Sequence, residues 1–133
     1  MSYLLDTQVW LWLLTTPERL DTASLEIVSE PESVLLLSAA STWEIAIKAG
    51  LGTLTLSEPP ASYVPRAMER SRVRPLPVTV AHSLQVAELP LHHRDPFDRL
   101  LVAQAQLESL TLITADRALA AYDVPLVPIS RSA

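Results

Sequence analysis

Four acidic residues occupy positions from which their carboxylates can meet, although they are far apart in the chain. Asp6 directly follows the apolar run YLL, and Asp116 follows the run LTLIT after a single alanine. Glu44 lies within two turns of the start of one predicted helix, and Asp98 lies in the first turn of another. Carboxylate ligands in a chain without cysteine suit a hard divalent cation, Mg²⁺ or Mn²⁺, rather than zinc. Such an ion can activate water and stabilise the charge on a phosphodiester under attack.

Each of these acids also has a simpler explanation. Asp6 and Asp116 could cap the helices that follow them, each contributing about 1 kcal/mol. Glu44 could be the exposed partner of Lys48 at i+4, worth a few tenths of a kcal/mol. Taken singly, both explanations stay open. Taken together, four like charges at one edge are costly unless protons or a cation neutralise them.

The stretch HHRDPFDRLLVAQAQ contains two aspartates that helix capping alone would explain. Asp95 is predicted as the N-cap, with Pro96 at the first helical position and Asp98 as a favourable charge in the first turn, worth roughly 0.3–1 kcal/mol. The two histidines before them lie in a predicted loop without a ligand-spaced partner. We therefore predict that His92 and His93 are surface groups or lie near the substrate, and that they form no zinc site.

The pattern of apolar runs predicts strands that alternate with helices. Continuous apolar runs of buried-strand type are YLL, SVLLLSA, LTLIT and PLVPI, and the proline-containing VRPLPV is predicted as an edge strand. Helices are predicted for TQVWLWLL, DTASLEIVSE, STWEIAIKAG, ASYVPRAMERS (beginning near Pro65), TVAHSLQVAEL, DPFDRLLVAQAQLES and DRALAAY. This alternation indicates a parallel sheet covered on both faces, which binds ligands at the carboxyl ends of its strands.

Composition limits the classes to which the protein can belong. A length of 133 residues, of which 49% are hydrophobic and two are glycine, predicts one globular domain over residues 1–133. The N-terminal run lacks a basic segment and contains Asp6, and no run approaches the roughly 20 apolar residues of a membrane span. With no cysteine and no such run, we expect a soluble, cytoplasmic protein without membrane partners.

A local basic segment interrupts an otherwise acidic chain. The formal net charge is −5, yet four arginines lie close together in RAMERSRVR: Arg66, Arg70, Arg72 and Arg74. An acidic protein does not attract nucleic acid through its overall field, but a basic arm can contact phosphates. A solvated helix end explains the same residues equally well.

Four motifs in this order and spacing resemble one known family. LLDTQVWLW, SAASTWEIAIKAGLG, HHRDPFDRLLVAQA and LITAD are similar to the PIN-domain toxins of bacterial VapBC toxin–antitoxin pairs, and the resemblance covers essentially the whole chain. It implies a three-layer α/β/α PIN-like fold with a short, mostly parallel central sheet. It also implies a Mg²⁺- or Mn²⁺-dependent endoribonuclease that forms a homodimer and is inhibited, in a toxin–antitoxin hetero-oligomer, by a cognate VapB-type antitoxin.

The resemblance also assigns roles to individual residues. The family's catalytic and metal-binding acids fall on Asp6, Glu44, Asp98 and Asp116. Asp95 is then an N-cap or a supporting group. Other side chains near the implied metal site can bind water or orient carboxylates, although capping explains the second serine equally well: Thr7, Thr114, Ser38 and Ser41. Arg99, which follows the third acid, is expected to pair with Asp95 or to touch a phosphate. Trp43 is most simply explained by packing in the core.

These observations lead to one hypothesis and two rivals. The hypothesis is hydrolysis of RNA by water activated at the metal, leaving 5′-phosphate and 3′-hydroxyl ends, with the arginine segment as a guide for the RNA backbone. The first rival is a non-catalytic PIN-like module that binds RNA or protein. A non-catalytic module would have no reason to keep four acids that repel one another. The second rival is a DNA-directed nuclease of related fold, against which RNA is preferred only through the resemblance.

Overall fold

The computed structural model describes residues 1–129, in which five strands form one sheet. The strands are β1 (Ser2–Leu5), β2 (Val34–Ser38), β3 (Val73–Leu76), β4 (Thr111–Thr114) and β5 (Leu126–Pro128). Each pair of neighbours runs parallel, in the order β3-β2-β1-β4-β5. The proline-containing β3 lies at an edge, as its sequence predicts, because proline has no N–H to donate to a second neighbour.

Helices separate the strands along the chain. They are α1 (Thr7–Thr15), α2 (Thr22–Ser29), α3 (Ala39–Gly50), α4 (Pro60–Ser71), α5 (Val80–Gln85) and α6 (Pro96–Glu108). The segment DRALAAY, predicted as a helix, forms a 3-10 turn at Arg117–Ala121, which follows its cap Asp116. Within residues 1–129 no helix combines the length and the apolar character needed to cross a bilayer.

The prediction that α4 begins near Pro65 is wrong. The helix begins at Pro60, directly after its N-cap Pro59, and Pro65 lies inside it. Pro60 has the fixed φ that suits a first helical position, so it starts the helix at little cost. Pro65 removes one backbone hydrogen bond to Ala61, but both residues are exposed, and water can replace that bond.

The two faces of the sheet carry separate hydrophobic cores. In β1, Tyr3 and Leu5 pack into a core shared with α1 and α4, whereas Leu4 between them packs against α6 on the other face. Successive side chains of a strand point to opposite faces, so an entirely apolar strand must be covered twice. The predicted three-layer α/β/α fold is thus confirmed, and all of its strands within residues 1–129 are parallel.

The order of the strands creates a switch point beside β1. From β1 the chain moves to β2 and β3 on one side and then returns to place β4 and β5 on the other. Open parallel sheets bind ligands at the carboxyl edge next to such a point. Asp6 and Asp116 follow the two strands that flank it.

Candidate active site

All four predicted acids line one open cleft at this carboxyl edge, with a volume of about 970 Å³. Asp6 enters it from the end of β1, Glu44 from the second turn of α3, Asp98 from the first turn of α6, and Asp116 from the loop after β4. Asp95, the residue before α6, lines the same cleft. Three strand ends and one helix start therefore deliver five carboxylates to a single space.

Asp6 is held in place by two hydrogen bonds although it is only 7% exposed. Its Oδ1 accepts from the Gln8 backbone N–H at 2.9 Å, as in an N-cap, and its Oδ2 accepts from the Thr114 hydroxyl at 2.7 Å. Burial raises the pKa of Asp6 above its ordinary value, and the charges of Glu44 and Asp116 add to this effect. The two hydrogen bonds act in the opposite direction without cancelling it.

The charge of Asp98 is also costly in the cleft. Asp95 is the N-cap of α6, as predicted: its Oδ1 accepts from Phe97 N–H at 2.8 Å and from Asp98 N–H at 3.3 Å. This cap places the Asp98 side chain inside the cleft. Burial, followed by the charges of Asp6, Asp95 and Asp116, raises the pKa of Asp98 to about 7, although His93 opposes the shift.

The other two acids, Glu44 and Asp116, each lie within 3 Å of a basic side chain. Glu44 pairs with Lys48 at 2.9 Å, so the predicted i+4 pair is confirmed, but Glu44 is only 8% exposed and the expectation of an exposed side chain is wrong. The hydrogen bond to Glu44 raises the pKa of Lys48, and the charges of Asp95 and Asp98 contribute as well. Asp116 accepts at Oδ1 from Ala118 N–H at 3.0 Å and lies 2.7 Å from His93 through Oδ2.

The charges lining the cleft do not balance. Five carboxylates face two cationic side chains, those of Lys48 and Arg117. Within residues 1–129, Asp6 has no salt-bridge partner, and Asp98 has only His93, at 3.6 Å. Buried carboxylates without a partner are costly and either keep a proton or bind a cation. Five carboxylates provide enough oxygen donors to hold a hard divalent ion.

The prediction that His93 is a surface group is wrong, whereas its alternative, a position near the substrate, stays a prediction. Its ring is 18% exposed and points into the carboxylates, with ligand atoms of His93, Asp98 and Asp116 all within 4.8 Å of one another. Partial burial lowers the pKa of His93, but the hydrogen bond and charge of Asp116, followed by the charges of Asp98 and Asp95, raise it overall. Sequence reasoning missed this residue, although its position two residues before the N-cap Asp95 could have indicated it.

The hydroxyl groups predicted to support the site divide into two kinds. Thr114 contacts a carboxylate directly, since its hydroxyl donates to Asp6. Thr7 instead donates to Ser41 at 2.8 Å, and both are buried, so this bond ties α1 to α3. The capping alternative for Ser41 is wrong because Ser38, at the end of β2, caps α3 by accepting from Ala40 N–H at 2.9 Å. The pair Thr7 and Ser41 thus fixes the helices that carry Asp6 and Glu44.

The expected pairing of Arg99 with Asp95 and the expected core position of Trp43 are also wrong, whereas contact of Arg99 with a phosphate stays a prediction. Arg99 does not pair with Asp95 in the described chain; its guanidinium donates to the carbonyls of Val86 and Leu89, at 3.2 and 3.0 Å. It therefore fixes the loop that leads into His93. Trp43, expected in the core, is 62% exposed, and its ring meets the edge of Phe97 with centroids 5.4 Å apart.

The arginine segment lies away from this cleft. Of the residues that the structure describes, the cations that line it are Lys48 and Arg117, and none of the four predicted arginines is among them. Arg66 pairs with Glu58 at 2.6 Å on the exposed side of α4. Contact of this segment with RNA stays a prediction.

Comparisons with known proteins show the family to which the chain belongs. A family model described as "PIN domain" matches residues 3–125. Ribonuclease VapC22 of Mycobacterium tuberculosis is 30% identical over 125 residues, which cover 93% of this chain and 94% of that protein. Ribonuclease VapC16 of the same organism is 53% identical over 57 residues, 43% of this chain and 40% of that protein.

A solved structure shares the fold. The crystal structure of VapBC2 from Rickettsia felis bound to a DNA fragment from their promoter contains a chain that superposes with a TM-score of 0.75 at 17% sequence identity. The match covers 98% of this chain and 100% of that one. At this identity the likeness concerns the fold alone.

Proposed function

Because the chain belongs to the PIN-domain family and, within it, to the VapC ribonucleases, we propose that it is a divalent-metal-dependent endoribonuclease and the toxin of a VapBC pair. The observation that carries this proposal is the convergence of four acids, from four separate segments, in a cleft where, within residues 1–129, Asp6 has no salt-bridge partner and Asp98 has only His93 at 3.6 Å. A site built only to cap helices would not gather these charges.

We assign the metal to the four acids Asp6, Glu44, Asp98 and Asp116. Their oxygens suit Mg²⁺, and Mn²⁺ would be accepted by the same donors. A bound divalent ion supplies a Lewis acid that activates water and stabilises the charge on the phosphodiester. Cleavage would leave 5′-phosphate and 3′-hydroxyl ends.

Hydrogen bonds within the chain orient the carboxylates of the site. Gln8 N–H and Thr114 hold both oxygens of Asp6, and Ala118 N–H holds one oxygen of Asp116. Fixed carboxylates cost little further reorganisation when a cation and a phosphodiester arrive. Lys48 pairs with Glu44 at the cleft and, with Arg117, would offer positive charge to the RNA backbone.

We further propose that a VapB-type antitoxin covers this cleft and that the toxin forms a homodimer within a larger toxin–antitoxin assembly. The names of structural neighbours support an antitoxin partner: one is a toxin–antitoxin complex from Klebsiella pneumoniae, and another, VapBC-5 from Mycobacterium tuberculosis, is a member of the VapBC family of toxin–antitoxin systems. We also propose that residues 1–133 form a single PIN domain, of which residues 130–133 lie outside the described part.

The test is RNA cleavage by the purified protein with Mg²⁺ or Mn²⁺ and with a chelator. Asp98→Asn should lower the rate by more than about 100-fold, because the variant loses a ligand of the ion that activates water and stabilises charge in the transition state. Asp123→Asn, which changes an exposed acid outside the cleft, is the matched control and should cleave normally. If Asp98→Asn cleaves RNA at the wild-type rate, the assignment of Asp98 as a metal ligand is wrong.

Two further outcomes separate the rivals. Metal binding without cleavage of any nucleic acid would favour a non-catalytic binding module. Cleavage of single- or double-stranded DNA at a rate equal to that of RNA would favour a DNA-directed nuclease. RNA is preferred here because both curated relatives are named ribonucleases.

A further inference from the structure

His93 stands between two of the acids assigned to the metal. Its Nε2 lies 2.7 Å from Asp116 Oδ2 and 3.6 Å from Asp98 Oδ2. A histidine in such a place has two possible roles: it can coordinate the ion through a ring lone pair, or it can donate a hydrogen bond to a ligand. The two roles require opposite protonation of Nε2, so the ring's other contacts can distinguish them.

The contact at the other ring nitrogen determines which role is available. The backbone N–H of Asp95 donates to His93 Nδ1 at 2.9 Å. An amide N–H has only a proton to give, so Nδ1 must present its lone pair. The ring proton then lies on Nε2, and it points at Asp116. To coordinate a metal through Nε2, the ring would have to move its proton to Nδ1 and break the bond from Asp95.

The backbone of His93 is fixed by a buried group. The Tyr122 hydroxyl oxygen accepts from His92 N–H at 3.2 Å and from His93 N–H at 3.0 Å. Tyr122 is 4% exposed and belongs to the core that packs against α6. The loop before α6 is therefore attached to the core directly at the residue that faces the acids.

We infer that His93 is a positioning residue that holds the Asp116 carboxylate for the divalent cation through an Nε2–H hydrogen bond and does not coordinate the ion itself. This inference rests on the proposed function. Ala118 N–H holds Oδ1 of Asp116 and His93 holds Oδ2, so the carboxylate is fixed from both sides while each oxygen keeps a further lone pair for a cation. Donors of this kind, beyond the ligands, typically change metal affinity by about 10–100-fold.

The experiment is Mn²⁺ binding to the full chain, measured by calorimetry without RNA. His93→Ala should weaken binding by about 10-fold or more. His93→Gln, whose side-chain amide can donate from nearly the same place, should recover most of the affinity. His92→Ala is the matched control, because this exposed neighbour touches Tyr122 through its ring edge and contacts none of the acids in the described chain. Its affinity should equal that of the wild type.

Pulsed EPR of bound Mn²⁺ with ¹⁵N-labelled histidine distinguishes the two roles in the wild-type protein. We expect no directly coordinated nitrogen, and in the metal-free protein, at a pH at which the His93 ring is neutral, we expect ¹⁵N NMR to show an unprotonated Nδ1 and a protonated Nε2. A coordinated nitrogen, or a His93→Ala variant that binds Mn²⁺ as tightly as the wild type, would overturn the inference. If the wild type itself binds no Mn²⁺, the proposed function fails instead.

Discussion

Thr114 and Asp6 are 108 positions apart in the chain, yet the Thr114 hydroxyl donates to Asp6 Oδ2 at 2.7 Å. The bond crosses from β4 to the end of β1, where the backbone pairing of the two strands continues through Asp6 N–H to the Ile113 carbonyl at 3.0 Å. Both side chains are buried. The sheet thus orients the most buried of the four acids with a donor from a neighbouring strand.

Removing this donor should weaken metal binding. Thr114→Val keeps the shape of the side chain but leaves Asp6 Oδ2 without its hydrogen bond, so we expect Mn²⁺ affinity to fall about 10-fold. Thr111→Val, on the same strand but outside the cleft lining, is the matched control and should bind normally. Equal affinities for the two variants would mean that the bond supports only the fold. Calorimetric titration measures the difference.

Neutralising Asp98 should stabilise the protein when no metal is bound. Above the raised pKa of about 7, this carboxylate is charged and is repelled by Asp6, Asp95 and Asp116. Asp98→Asn removes that repulsion, so its Tm in chelator at mildly alkaline pH should exceed that of the wild type. Saturating Mn²⁺ should raise the Tm of the wild type and leave the variant almost unchanged. A variant less stable than the wild type in chelator would show that Asp98 is not a charge liability.

The pH dependence of stability should reverse between metal-free and metal-bound protein. The pKa of Asp98 is 3.8 ordinarily and about 7 in the folded chain, so between these values the folded state binds more protons than the unfolded state. Metal-free stability should therefore fall as pH rises through this interval. The pKa values of Asp6 and His93 are also raised, so both groups act in the same direction. The stability that each contributes is lost as pH rises through its raised pKa.

Mn²⁺ binding must displace the proton held by Asp98, so metal affinity should rise with pH over the same interval. Thermal unfolding across pH, in chelator and in excess Mn²⁺, checks both slopes. Asp98→Asn provides the control, since both slopes should be smaller in this variant. A metal-free Tm that rises steadily through this interval would contradict the electrostatic account of the cleft.

Two arginines can test where the RNA backbone is held. Arg117 lines the cleft, whereas Arg66 lies outside it and pairs with Glu58. In an Asp98→Asn background that prevents cleavage, Arg117→Ala should weaken RNA binding and lower the slope of log K against log salt by about 1, because one phosphate contact is lost. Arg66→Ala should change neither quantity. The opposite result would support the arginine segment as the RNA guide.

Local sequence patterns were sufficient for most of the fold. Buried strands were recognised as continuous apolar runs, and Asp95 was recognised as the cap of α6 from the adjacent proline and the apolar helix that follows. Such features depend on interactions between residues a few positions apart, and these are visible in any single sequence. The same patterns placed Asp6 and Asp116 at strand ends, and the family resemblance distinguished Asp98 from Asp95.

Other features depended on contacts that the local pattern does not contain. The start of α4 was misplaced because a proline inside a helix is tolerated when the face is exposed, and exposure is a property of the folded chain. Trp43 was assigned to the core for its apolar character alone, yet the structure leaves it at the surface beside Phe97.

The amino-acid sequence by itself determined that strands alternate with helices and that an acid follows β1 and β4. Only the tertiary structure decided that β4 lies beside β1, which brings Thr114 to Asp6, and that the loop before α6 turns His93 inward onto Asp116. The physical reason is the range of the forces involved. Caps and apolar periodicity act between near neighbours in sequence, whereas strand order and the direction of a loop side chain are set by packing between distant segments, here by the anchor at Tyr122.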